Sequence, residues 1–298
     1  MRAVWSYWSR PMEAGRSSSW GQPLHHFLAW GLSLCAARKH YPETVLITDH
    51  KGKKLLIDKL GLPFTDVCTE LDRLQDIDPA WWSLGKLTAY AMQDQPFLHL
   101  DTDVFLWKPL APQVAEAPVF AQCPEIHSYG LDCHQSEIER AFAAHGCTLP
   151  REWEWERSQE NAHFREENCG IVGGSNVAFL RYFAETALDM VLSPGNSLAW
   201  SSLGVKVGYN MIVEQYLLSA CIGFHRFHPG SPYRGVRVKY LFTSWGDGHD
   251  PNCAARVGYT HLMGGAKSHP AVGKRLEDRM RREDPTYYRL CERVAQSS

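Results

Sequence analysis

The sequence contains no uninterrupted apolar run of about 18 residues, the length a membrane-spanning helix needs. Its opening stretch, "MRAVWSYWSR", enters a strand-like pattern directly and lacks the charged, apolar and small-residue regions of a secretory signal. Positive charge is not in excess: 31 Lys and Arg stand against 33 Asp and Glu, for a formal net charge of -2. That balance excludes the basic footprint of a protein that holds nucleic acid through its phosphates. No C-x-x-C pair occurs among the nine cysteines, an odd and scattered set that fits reduced thiols better than a disulfide framework or a zinc site. A G-x-S-x-G nucleophile elbow and a P-loop are both missing, as are internal repeats and low-complexity linkers. These absences point to a soluble cytoplasmic protein with small-molecule partners, no nucleic acid and no transmembrane segment.

What is present is an alternation of strand and helix patterns. "RAVWSYW" (2 to 8), "TVLITD" (44 to 49), "PFTDVC" and "PFLHLDTDVFL" read as strands. Between them lie helical patterns such as "LHHFLAWGLSLCAARKH" (24 to 40) and "AWWSLGKLTAYAMQD". Strands joined through helical crossovers predict an α/β fold with a mostly parallel central sheet flanked by helices. In such sheets ligands gather outside the carboxyl ends of the strands. Beyond residue 110, "PVFAQCPE" and "NCGIVGGSN" read as further strands, and "EWEWERSQENAHFREE" resists assignment. "VAFLRYFAETALDMVL" and "NMIVEQYLLSACIG" read as helices, and a charged helical tail begins near Val272. The chain is expected to form a single domain over residues 1–298, its second half decorating the sheet.

The stretch "HLDTDVF" (99 to 105) sets two carboxylates one residue apart at the end of an apolar strand. On a continuing strand, residues i and i+2 share a face, so Asp101 and Asp103 would converge on one point. Like charges so close call for a cation, and hard divalent ions bind through one or two carboxylates plus substrate phosphates. The alternative is an Asp turn, with the side chains capping backbone amides.

In context, "FLHLDTDVFLWKPL" resembles the metal-binding strand of GT-A fold glycosyltransferases, where Asp-x-Asp holds a divalent cation against the diphosphate of a nucleotide sugar. "HLMGGAK" (261 to 267) repeats the His-x-x-Gly-x-x-Lys spacing of the retaining glycogenin-like and bacterial galactosyltransferase-like family. The resemblance implies a GT-A-like, Rossmann-like fold with a nucleotide-binding half (1–110) and an acceptor and sugar half (111–298). It implies His261 as a third metal ligand beside Asp101 and Asp103, with Lys267 and Gly264 at the diphosphate. A neutral imidazole among carboxylates favours Mn²⁺ over Mg²⁺. The family's Asn-x-Gly segment is matched by Asn168 and Gly170, and its Asp-Gln pair by Glu214 and Gln215. The likeness thus implies Asn168 at the donor sugar, Glu214 at a sugar hydroxyl and Gln215 near the anomeric carbon. Glutamate in place of aspartate, and the absence of a Lys-Pro-Trp ending, mark the chain as a divergent relative. Tyr7 and Asp49, at the ends of the first two strands, are expected at a base and ribose, and Lys86 at the phosphates.

The implied activity is transfer of a sugar from a nucleotide-diphosphate sugar, a UDP-sugar in the first instance, to an unknown acceptor, with retention. Two alternatives remain open on the sequence: a nucleotidyltransferase, whose glycine- and arginine-rich loop finds only Gly15 and Arg16 here, and a non-catalytic nucleotide-sugar-binding protein. Trp153, Trp155, Trp200 and Trp245 are candidate sugar platforms. "HRFH" (225 to 228) lacks a third metal ligand in sequence.

Overall fold

The computed structural model describes residues 1–15, 20–130, 133–159, 161–204 and 206–297; Arg16 lies outside them. Alternation along the strands divides the apolar residues between two layers. In β1 (Arg2–Tyr7), Val4 joins one core while Ala3, Trp5 and Tyr7 join the other. In β4 (Phe97–Leu100), Phe97 faces the first core and Leu98 and Leu100 the second. A period of two with both faces buried is the signature of a sheet covered by helices on each side.

The remaining strands are β2 (Thr44–Thr48), β3 (Asp66–Cys68), β5 (Val104–Leu106), β6 (Val119–Ala121), β7 (Pro124–Ser128), β8 (His163–Glu167), β9 (Ile171–Gly174), β10 (Val238–Tyr240) and β11 (Tyr259–His261). Seven of them form the central sheet in the order β10-β6-β9-β4-β1-β2-β3. Only β9 runs antiparallel to its neighbours; the pairs β4 with β1, β1 with β2, β2 with β3 and β10 with β6 are parallel. The expected mostly parallel sheet is therefore present. Two small antiparallel ribbons, β11 with β5 and β7 with β8, stand apart from it.

Helices α1 (Pro23–Arg38), α2 (Leu84–Ala91), α3 (Arg151–Ser158), α4 (Val177–Leu192), α5 (Leu217–Phe227), α6 (Pro270–Glu283) and α7 (Pro285–Gln296) complete the layers. One face is covered by α2 and α4, which pack on each other; α1, α6 and α7 form the opposite layer. The "EWEWERSQENAHFREE" stretch divides into α3 and β8, its helical and alternating halves having obscured one another in sequence. The charged tail is not a fully solvated helix: Gly273, Leu276 and Met280 of α6 are buried, and a Cβ on Gly273 would stand 2.2 Å from the His25 ring. Trp153 and Trp200 are core residues, 0% and 3% exposed, so neither is a sugar platform. Among the described residues no helix is long and apolar enough to cross a membrane. All nine cysteines are free thiols.

This topology collects chain ends at one edge. Parallel β1, β2, β4, β6 and β10 all finish there, and antiparallel β9 begins there. Asp101 follows β4 and donates no side chain to the ladder; its amide bonds to the Gly170 carbonyl at 3.0 Å. Gln122 follows β6, its amide on the Asn168 carbonyl, also at 3.0 Å.

A candidate metal and phosphate site at the sheet edge

The strand stops before the motif it introduces. β4 ends at Leu100, and Asp101, Thr102 and Asp103 form a turn closed by the Val104 amide on the Asp101 carbonyl at 3.0 Å. Asp101 and Asp103 thus converge across a turn and not along a continuing strand. On the far side β11 pairs with β5, setting His261 opposite Val104. One carboxylate oxygen from each aspartate and a ring nitrogen of His261 then lie within 4.8 Å of one another. The Nε2 of His261 is 3.6 Å from Asp103 Oδ1.

The histidine is held from behind. Its Nδ1 is 2.7 Å from Gln122 Oε1, which also accepts the Tyr259 hydroxyl at 2.7 Å. An amide oxygen can only accept, so Nδ1 carries the proton and the Nε2 lone pair faces the carboxylates. Gly170 has to be glycine because a Cβ there would stand 2.4 Å from the His261 ring. The Asn-x-Gly segment is accordingly explained by the ring that lies over it.

Lys86 rises from α2 into the same space. Its ammonium is 2.9 Å from Asp101 and 2.8 Å from Glu214, and it donates to the Cys169 carbonyl at 3.2 Å. Glu214, fully buried, also accepts the Tyr90 hydroxyl at 2.8 Å. It sits on a π-helical turn, Ile212–Tyr216, a distortion often found at functional sites. Gln215 is the next residue, half-buried on that turn. Beyond β11, Gly264 adopts a left-handed φ of 54° and opens the 3-10 turn Gly264–Ser268. That turn brings the Lys267 ammonium to 2.5 Å from Asp103.

Electrostatics follow from this pairing. Burial raises the Asp101 carboxyl, with Lys86 opposing and Asp103 adding to the rise. For Asp103 burial acts upward too, but His261 and the Lys267 ammonium outweigh it and hold the carboxyl below its ordinary range. Burial lowers the Lys86 ammonium, yet Asp101 and Glu214 prevail and raise it. His261 is pushed down by burial, which keeps the imidazole neutral. Two oxygen donors and one oriented, neutral nitrogen fit a divalent cation of the Mn²⁺ type. Asp101, Asp103, Glu214, Lys86 and Lys267 together leave one negative charge for it to meet.

Other expected contacts are used structurally. Tyr7 is 9% exposed, its hydroxyl on Met12 Sδ at 3.2 Å and its ring edge-on to Trp30 at 5.6 Å. Asp49 caps the short helix His50–Lys53, accepting from the Ser9 amide and hydroxyl, each at 2.8 Å, and from the Gly52 amide at 2.6 Å. Asn168 turns its amide group away to Glu125, donating at 2.5 Å. Its Oδ1 accepts the Gly170 amide at 3.0 Å. Trp245 is 53% exposed, its ring tilted 42° against that of His249, and Trp155 lines a cavity of about 590 Å³ with Phe227 and Arg165. In "HRFH", His225 is buried beside Glu152, 3.4 Å away, and His228 stacks on Phe224. Sequence reasoning missed Gln122 and Tyr259; the signal was Gln122's place just past a strand end on the ligand-bearing edge.

A model of a protein family described as a family of unknown function, DUF6734, matches residues 1–294. No curated protein matches the chain. Among solved structures, the chain is similar to a galactosyltransferase, LgtC, crystallised with donor and acceptor sugar analogs, at 14% identity and a TM-score of 0.42, with 93% of this chain and 94% of that chain covered.

Proposed function

The chain belongs to the DUF6734 family, and we propose that it is a metal-dependent glycosyltransferase of GT-A type that moves a sugar from a UDP-sugar to an acceptor with retention. One observation carries the reading: Asp101, Asp103, His261 and Lys267, drawn from two segments more than a hundred and fifty residues apart, meet at the carboxyl edge of a parallel sheet. A simple capping turn does not need a half-buried histidine and a lysine brought to it from the far end of the chain.

Asp101, Asp103 and His261 would hold Mn²⁺ or Mg²⁺, which when bound neutralises charge on a departing nucleoside diphosphate. Lys267 adds a point charge to the same phosphates. Lys86 fixes Asp101 and Glu214 in one network, and Gln122 fixes the face that His261 presents. Glu214, sealed between Lys86 and Tyr90, supports a positioning role better than that of a free base. Gln215 is then the residue for the sugar side, Asn168 being held to Glu125 and Gly170, and the leaving phosphate can take the acceptor proton as the anomeric carbon passes through an oxocarbenium-like state.

The test is UDP release from a panel of UDP-sugars by the full chain in Mn²⁺, Mg²⁺ or EDTA. Release in Mn²⁺ that vanishes in EDTA and in Asp103→Asn is expected, followed by an α-linked product from an α-linked donor in proton NMR. Metal-independent release, or pyrophosphate formed from UTP and a sugar phosphate, would overturn the reading.

A further inference from the structure

A second group of carboxylates and imidazole stands on the β7 and β8 ribbon. Glu125 and Glu166 are direct cross-strand partners, and His127 lies two residues further along the same face. Like charges set opposite each other weaken a ribbon unless something between them compensates. No Lys or Arg ion pair reaches either carboxylate among the described residues; the imidazole between them is His127, whose Nε2 is 3.8 Å from Glu125 Oε2 and 3.8 Å from Glu166 Oε2.

Glu166 is the telling member. It is only 3% exposed, and no hydrogen-bond donor reaches its carboxylate among the described residues. A carboxylate so little exposed and without a donor, aimed at another carboxylate and an imidazole, is costly unless a cation joins them. The surrounding contacts orient all three groups. Asn168 donates to Glu125 Oε1 at 2.5 Å, leaving Oε2 toward the centre. The His127 ring stacks on Phe164 at 5.3 Å and 27°. The donor atoms lie within 4.8 Å of one another, His127 Nε2 3.8 Å from each carboxylate, wider than the about 3.4 Å between ligands of a tetrahedral ion, a gap that small side-chain shifts close.

We propose that Glu125, His127 and Glu166 form a second site for a divalent transition cation, Mn²⁺ or Zn²⁺. The mixed oxygen and nitrogen set suits those ions over Ca²⁺, which takes oxygen ligands alone. His127, its side chain 43% exposed, opens the site to solvent, so coordination positions remain for water or a ligand oxygen. Asn168 separates this site from the edge site, contacting Glu125 here and Met263 there at 3.7 Å. The inference does not depend on the glycosyltransferase reading.

The test is Mn²⁺ binding to the EDTA-stripped full chain by equilibrium dialysis and calorimetry. Mn²⁺ is the probe because it is indifferent to the nine free thiols. In the Asp101→Asn, Asp103→Asn double variant, one equivalent of Mn²⁺ should still bind. Adding His127→Ala or Glu166→Gln to that background should weaken the remaining binding at least about tenfold. Circular dichroism controls for folding, and His127 is exposed enough to remove without disturbing the core. Complete loss of binding in the double variant, or residual binding indifferent to His127→Ala and Glu166→Gln, would overturn the proposal. Failure of the edge site alone would instead appear as binding untouched by the Asp101 and Asp103 changes but lost in His127→Ala.

Discussion

The protein holds two pairs of carboxylates that differ in what faces them. At the sheet edge, Asp101 and Asp103 meet Lys86, Lys267 and a neutral His261. On the β7 and β8 ribbon, Glu125 and Glu166 have among the described residues no ion-pair partner but His127, and Glu125 also accepts from Asn168. Their protonation diverges accordingly. Asp103 is buried yet held below the usual carboxylate range by His261 and Lys267, while burial and the neighbouring Glu125 push Glu166 up to about 7. Burial alone therefore does not set the charge of an acidic pair; the counter-charges do. The edge carboxylates are compensated by the chain's own ammonium groups, and the ribbon pair has no such compensation among the described residues.

Removing a counter-charge should hurt the edge site most. Lys86→Met leaves fully buried Glu214 without its cation, and breaking a buried pair by deleting one partner costs about 3–5 kcal/mol. Urea denaturation should report a loss of that order; a loss within experimental error would mean that the lysine is dispensable and the edge is not a compensated network.

Next in size is ligand binding at the edge. Asp103→Asn removes a charged oxygen donor and leaves Lys267 unopposed, so Mn²⁺-dependent UDP affinity should fall about a hundredfold, or about 3 kcal/mol. Calorimetry checks this, and unchanged affinity would dissolve the metal assignment for the edge while leaving the fold intact.

The ribbon should answer in the opposite direction. A carboxyl raised from 4.5 to about 7 on folding binds its proton more tightly in the folded chain. Its stabilising share is full below about pH 4.5 and is lost as pH rises through 7. In EDTA, Glu166→Gln should flatten that fall and stabilise the protein at pH 8 by about 2 kcal/mol. Thermal scans between pH 5 and pH 8 measure it, and a destabilised Glu166→Gln would show that the carboxylate has a partner and that the two regions are not opposites.

The contrast also explains what could be read in the sequence. Edge geometry was legible because strand ends are marked by composition: β4 and β9 are apolar runs, and the end of β4 and the start of antiparallel β9 put Asp101 and Asn168 on one side. The pairing of Asp101 and Asp103 was legible, though its means was not, since only the register of β11 on β5 turns a strand end into a turn. Gln122 and the ribbon cluster were hidden for a different reason. Glu125 and Glu166 are forty-one residues apart, and their encounter depends on the register of two antiparallel strands joined through intervening helices, which local patterning does not specify. Tyr7 and Asp49 were placed correctly at strand ends, but position at an edge does not say whether a side chain faces ligand or folds back to cap a helix, as Asp49 does.

The finest test of the comparison is the nitrogen donor at the edge, because it asks whether the site is tuned to one ion and not merely acidic. His261 offers Nε2 because Gln122 Oε1, itself fixed by Tyr259, claims the Nδ1 proton, and because Gly170 leaves room for the ring. A borderline ion gains from an imidazole nitrogen, whereas Mg²⁺ binds oxygen and keeps its waters. His261→Ala should therefore weaken Mn²⁺ binding about tenfold, or about 1.4 kcal/mol, and Mg²⁺ binding by much less. The measurement belongs in the His127→Ala background, so that the ribbon's own imidazole does not contribute to the same titration. If Mn²⁺ and Mg²⁺ weaken equally, His261 acts on the fold of the Asp103 turn and not on the ion. If Mn²⁺ alone weakens, the two regions differ in a further respect: the edge orients its histidine through a buried amide, and the ribbon through the stacked Phe164 ring.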